Sequence, residues 1–294
     1  MWQRFVARAR SIFRFSNQSS FTHEDVIAAG RIEGAISPDY ERSLDVLDNV
    51  VRDCISISQK YRGIASPTPR HFYASVLFTA LISRSVSLVI LAPHSPWSGK
   101  LIEHWDYATA ASIVRTMLEL RAGFHYLCVE ECSDEEWECR WNLLNLHDCN
   151  SRIRLFTESP SATPEEIDGL RKQADELRER LRSNKFFCQL RNQASLLNGR
   201  TAYLYPIEDM LEKAGVERWI YRYLNILFSS AVHGLPMSYY RMDEQERGRG
   251  LPSPVERGYT TICHSLAASL LAATRDDVEA LFEDTGKERQ NRSR

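Results

Sequence analysis

Apolar residues recur at every third or fourth position from about residue 37 to residue 283, and nowhere do they alternate convincingly in twos. A period near 3.6 gathers them on one face of a helix, whereas a half-buried strand needs a period of two. The pattern predicts an all-α chain, a multi-helix bundle with two central helices of antiparallel type. Punctuation agrees with it. Ser37-Pro38 reads as an N-cap and first turn, and that helix runs to about Arg62, ahead of Gly63. After SPTPR come an apolar run over 71–92, the break APHSPWSG, and a long helix over about 105–130. Ser133 with Glu136 reads as a capping box for a helix to about Phe156, and Thr163-Pro164-Glu165-Glu166 caps the next, to about Phe187. Pro206 opens a short helix that Gly215 ends. Another helix spans about 217–233, closed by Gly234 and Pro236, and Ser253 with Glu256 caps the last, to about Glu283.

The chain has 294 residues, near the upper limit for one hydrophobic core. The expected division is a basic amphipathic segment over 1–36, one helical domain over 37–286 and a disordered tail over 287–294. Basic residues number 37 and acidic residues 39, a net charge of -2, so wholesale coating of nucleic acid is excluded and no strong DNA signal exists. Seven cysteines, an odd number set inside helical patterns, read as reduced thiols of a cytoplasmic protein. Residues 2–15 carry Arg4, Arg8, Arg10 and Arg14 without an acid, and Trp2, Phe5, Ala9, Ile12 and Phe13 fall at helical spacing. Three readings fit: a helix docked on the body, a helix lying on an anionic membrane, or a transit peptide.

The 71–92 run is long enough to span a bilayer. Arg84 at its centre costs about 2.5–3.5 kcal/mol on insertion scales. Serines 75, 83, 85 and 87 dilute it further, so the expectation is a helix buried within the bundle.

Two helices carry charge opposite a core face. On the first, Arg115 and Glu119 are one turn apart, beside Ala108, Ala111 and Ala122 and opposite Met117 and Phe124. Alanines admit a neighbouring backbone, so this pair is expected to point inward. On the second, Arg222, Ser229 and His233 share a face with Trp219 and Ile226, opposite Leu224, Leu227 and Phe228. Buried charge must be paired, and the predicted site is these five residues meeting, with Arg84 approaching Glu119. A polar network that fixes helix register is the competing explanation.

The Arg-x-x-x-Glu helix, the aromatic residues Phe124 and Tyr126, and the run Tyr223…Ser229-x-x-x-His233-Gly resemble a bacterial all-helical family catalogued as a domain of unknown function, numbered 5677. The resemblance covers about 72–234, and Arg115, Glu119, Ser229 and His233 match positions that mark the family. Its members are similar to the nucleotide-binding HEPN superfamily, several of which are metal-independent RNases. That likeness implies an Arg followed by four to six residues and a His, a count Arg140 and His147 satisfy in RWNLLNLH, although Trp141 stands where a polar residue is usual. There the His would act as general acid/base and the Arg would stabilise the phosphorane.

His125, Cys128, Cys132, Cys139, His147 and Cys149 lie close in sequence without a Cys-x-x-Cys spacing, and are read as free thiols and hydrogen-bonded histidines rather than zinc ligands. No metal and no cofactor is expected. The leading expectation is a regulatory or interaction protein, with an unknown protein or small-molecule partner at the Arg115/Glu119/His233 face. The alternatives are a HEPN-like RNase acting on RNA in a toxin or defence system, and a membrane-surface protein anchored by residues 2–15. Whether the chain is an enzyme is left open.

Overall fold

The structure is a computed structural model that describes residues 38–239 and 248–292, with side chains as far as residue 283. The basic segment 2–15 and Ser37 lie outside the described residues. Among those described the chain is all-α with no strand, and the one extended pairing is an isolated bridge between Trp105 and Gly250.

Ten α-helices are described: α1 (Pro38–Lys60), α2 (Pro69–Leu91), α3 (Tyr107–Phe124), α4 (Asp134–Glu158), α5 (Pro164–Ser183), α6 (Gln193–Leu196), α7 (Ile207–Lys213), α8 (Arg218–Val232), α9 (Pro236–Tyr239) and α10 (Pro254–Arg292). Helix α3 lies at the centre, packed against α2, α7, α8 and α10, while α10 also lies along α1 and α2. Their buried faces form the main core, which includes Leu47, Phe78, Val114, Met117, Phe228 and Leu271. A second core joins α4 to α5 through Leu143, Leu146, Leu177 and Leu181, closed by Phe187 and Leu196.

Helix α3 passes directly into one π-helical turn, His125–Val129, so the long helix expected over 105–130 is two conformations in series. Of the predicted capping box at Ser133 and the two further predicted caps, one forms a complete box. Thr163 and Glu166 exchange both hydrogen bonds at the start of α5. Ser133 Oγ accepts from the Glu136 N–H at 3.2 Å, but the Glu136 carboxylate turns to Arg140. Ser253 Oγ likewise accepts from the Glu256 N–H at 3.1 Å, while the buried Glu256 carboxylate takes the N–H groups of Tyr107 at 3.0 Å and Gly248 at 2.6 Å. Burial pushes the Glu256 carboxyl above its ordinary range, against the pull of those two N–H groups. Glu256 thereby caps α3 from another helix, beside that helix's own N-cap Asp106, which accepts from Ala108 and Thr109.

Helix α2 is long and apolar enough to cross a membrane, and is the one such helix among the described residues. It packs against α1, α3 and α10, and leaves Phe72, Val76, Ile90 and Leu91 exposed. Arg84 does not reach Glu119. Its Nε donates to Thr116 Oγ1 at 3.2 Å and its Nη1 to the Ala80 carbonyl, a link across the α2–α3 seam.

A candidate ligand cavity and the predicted polar faces

The five residues predicted to meet do so in part. Arg115 Nη1 donates to Ser229 Oγ at 2.7 Å across the α3–α8 seam, and Arg115 Nε lies 3.6 Å from Glu119 Oε1. Tyr203 and Tyr221 stand close enough to Glu119 for its charge to reinforce the upward shift that burial gives both phenols. The expectation that Arg115 and Glu119 point inward is corrected: their side chains are 26% and 49% exposed. Helix α8 does pack on α3, but the long Arg115 stem carries its guanidinium to the half-exposed edge of that seam. Arg222 leaves the group and pairs with Glu208 of α7, at 3.0 and 3.2 Å. His233 caps α8 through its backbone N–H to the Ser229 carbonyl, and its side chain is exposed.

Arg140 and His147 are also separated in role. Arg140 is 2% exposed and fully engaged. It pairs with Glu130 at 2.8 Å and Glu136 at 2.6 Å, donates to the Tyr126 carbonyl at 2.6 Å, and lies 4.3 Å from the centre of the Tyr126 ring. His147 Nδ1 lies 3.2 Å from the Gly199 carbonyl, in the second core's outer layer. Four of its five N–H groups are thus committed within the protein, and the side chain is closed off from a phosphate in solvent. All seven cysteines are free, and burial pushes the thiols of Cys54, Cys128, Cys139 and Cys263 up to about 12, which keeps them protonated. Among the described residues no three His, Cys, Asp or Glu side chains are placed to hold one metal ion.

The clearest concavity lies elsewhere, where the α2–α3 loop crosses α10. It is a cavity of about 270 Å³. Leu88, Leu91, Ala92, Pro93, Ala110 and Ile113 form its apolar wall. Its polar lining is Lys100, His104, Asp106, Thr109, Thr260 and His264. Lys100 Nζ donates to the carbonyls of Leu91, at 3.0 Å, and Ala92, so it caps the C-terminus of α2. Burial lowers the Lys100 pKa, with Glu103 opposing. Gly250 adopts φ 76°, and a Cβ there would come within 2.7 Å of the His104 ring, so that wall is built around a missing side chain.

His264, on α10, has no accessible surface. Its Nδ1 lies 3.5 Å from Ser43 Oγ, its ring centre lies 5.3 Å from that of Tyr40, and its Nε2 has no hydrogen-bond partner. Burial lowers its pKa to about 4, so the imidazole is neutral at physiological pH. The Nε2 atom is closed off from solvent as well as from any partner. None of these residues was singled out from the sequence. The available signal was a histidine among small and apolar residues in ICHSLAAS, a setting in which a polar ring has few local partners.

Residues 71–249 match a family of unknown function, DUF5677. All seven residues of the predicted sites lie in that span, as do the wall of the cavity and its rim, whereas Ser43, Thr260 and His264 lie outside it. No curated protein and no solved structure matches the chain.

Proposed function

The chain belongs to DUF5677, a family of unknown function, and we propose that it is a non-catalytic small-molecule-binding protein whose ligand occupies the cavity beside His264. The observation that carries this reading is the cavity itself, enclosed where α2, α3 and α10 meet and lined by an apolar wall with a few polar side chains. Ligand sites are concave, mostly apolar, and carry a few convergent polar groups. At about 270 Å³ this cavity suits a molecule of one or two rings.

Catalysis at the other polar groups finds less support. Arg140 is locked by two carboxylates and a carbonyl, and Arg115 meets Ser229 and Glu119 at a half-exposed seam with no histidine beside them, since His233 sits on the exposed end of α8. Calorimetric titration with benzofuran, a flat apolar probe, tests the binding reading. Heat of binding to the natural chain, lost in Ala110→Leu or Ile113→Trp, supports it, provided each variant melts as a folded protein. No heat with the natural chain overturns it.

A further inference from the structure

We propose that the chain pairs with a second copy of itself through the exposed face of α2, the two helices antiparallel about a two-fold axis beside residue 81.

Helix α2 buries Phe78, Leu81, Ser85 and Leu88 on its inner face. The opposite face meets solvent and carries no charge. Phe72 and Ile90, 54% and 39% exposed, stand on it five full turns apart, about 27 Å. Arg84 is the one charged residue between them, and it turns aside to Thr116 and the Ala80 carbonyl. A helix face in water ordinarily carries charge, so an uncharged stripe of this length marks a contact surface.

The order of the side chains identifies the occupant. Inward from Phe72 come Ser75, Val76 and Thr79; inward from Ile90, at the same steps, come Ser87, Val86 and Ser83. An antiparallel copy therefore sets Phe72 against Ile90, serine against serine, valine against valine and Thr79 against Ser83. Each pair occurs twice, as a two-fold axis requires. Large apolar groups meet at the ends and small ones at the middle, where they let the helix axes approach to about 8 Å. The hydroxyls lose little on burial. Ser75, Thr79 and Ser87 donate to carbonyls one turn back, those of His71, Ser75 and Ser83, at 3.1, 2.8 and 3.1 Å. A lipid bilayer would gain nothing from this mirrored order. The stripe exposes on the order of 500 Å² per copy, so pairing buries about 1,000 Å² in total, the lower limit for a specific interface and enough for a micromolar dimer.

Sedimentation equilibrium of the full chain should show monomers giving way to dimers between roughly 1 and 100 μM. Thr79→Glu would bury a carboxylate against Ser83 of the second copy, twice per dimer, and should weaken pairing at least about tenfold. Thr79 is exposed, and an unchanged circular dichroism spectrum checks that the variant folds. Adding Ser83→Lys to that variant brings opposite charges together in the antiparallel pair and should restore the dimer. A parallel pair would bring like charges together and stay apart. A natural chain that is monomeric throughout this range would overturn the proposal, as would a dimer indifferent to Thr79→Glu or a double variant that remains monomeric. Flotation of the natural chain with phosphatidylcholine vesicles, lost in Thr79→Glu, would give the face to lipid and overturn it too.

Discussion

His264 bears on stability because its neutral form is the one the fold accepts. Its pKa is lowered by burial to about 4, against an ordinary value near 6.5. A depressed folded-state value contributes stability that is present above pH 6.5 and lost as pH falls from there through about 4, because the unfolded chain takes up a proton that the folded one refuses. The full loss is roughly 3 kcal/mol for a group this deeply buried. Urea unfolding of the natural chain and His264→Gln, compared at pH 7.5 and pH 4.5, should show the natural chain losing more stability; equal losses would mean His264 is not the titrating group. His125, whose pKa burial and Arg121 also lower, is common to both chains and cancels in the difference. Arg140 makes the opposite case, a buried charge that is fully paired. Arg140→Ala would leave the largely buried Glu136 without its guanidinium and Glu130 with Lys213 alone, and should cost about 3–5 kcal/mol in the same assay. Asn142 is buried with neither its side-chain oxygen nor its nitrogen bonded. Asn142→Leu, similar in volume, should raise unfolding stability by about 1–3 kcal/mol; a loss of stability would show that the amide has a role the side-chain contacts do not reveal.

Helix α8 shows how far an element can be read from periodicity. Its buried residues are Leu224, Phe228 and Ser230, and Trp219 and Ile226 on the other face are 64% and 63% exposed. Phe228→Ala should cost about 3–5 kcal/mol, since a ring in the main core leaves a cavity. Trp219→Ala should change stability by less than about 0.5 kcal/mol. Thermal unfolding of the two variants separates these outcomes, and a large loss for Trp219→Ala would mean that α8 has a covered outer face. The helix wheel had divided α8 correctly between Leu224–Phe228 and Trp219–Ile226, because a 3.6-residue period is a local property. It could not tell that the polar face meets solvent, because that depends on whether another helix arrives there. The same limit explains the capping boxes. Serine at the N-cap was legible at Ser133 and Ser253, but the destination of the Glu136 and Glu256 carboxylates was decided by Arg140 and by the start of α3. On α3 the charged residue that goes inside is Arg121, which pairs with Asp277 of α10, and not the Arg115–Glu119 pair that spacing favoured. The cavity was the least legible feature, since its wall comes from α2, α3 and the loop between them while its floor comes from α10, some 150 residues away in the chain.

At the scale of the molecule, two cores of unequal size are tied by a narrow bridge. The α4–α5 hairpin packs mainly on itself, and its ties to the main body are few. They include the Arg140 cluster, Trp137 Nε1 to the Leu127 carbonyl at 2.9 Å, Trp141 Nε1 to the Tyr73 hydroxyl at 2.7 Å, and Leu144, which packs on the main core. The three polar ties converge on the π-helical turn or on α2 next to it. Segments with little buried contact to the remainder open as separate cooperative units, at free energies below that of global unfolding. Leu177→Ala removes a side chain that packs only in the second core, at a cost of about 2–5 kcal/mol to that core. Native-state hydrogen exchange should then show amides of α5 and the distal half of α4 exchanging faster. Those of α1, α3 and α10 should keep the protection they have in the natural chain. The cavity lies wholly in the main body, between α2, α3 and α10, so benzofuran affinity should be unchanged in this variant. Loss of protection spread evenly over α1, α3 and α10 would show that the two cores unfold as one, and that the Arg140 bridge couples them more tightly than its few contacts imply.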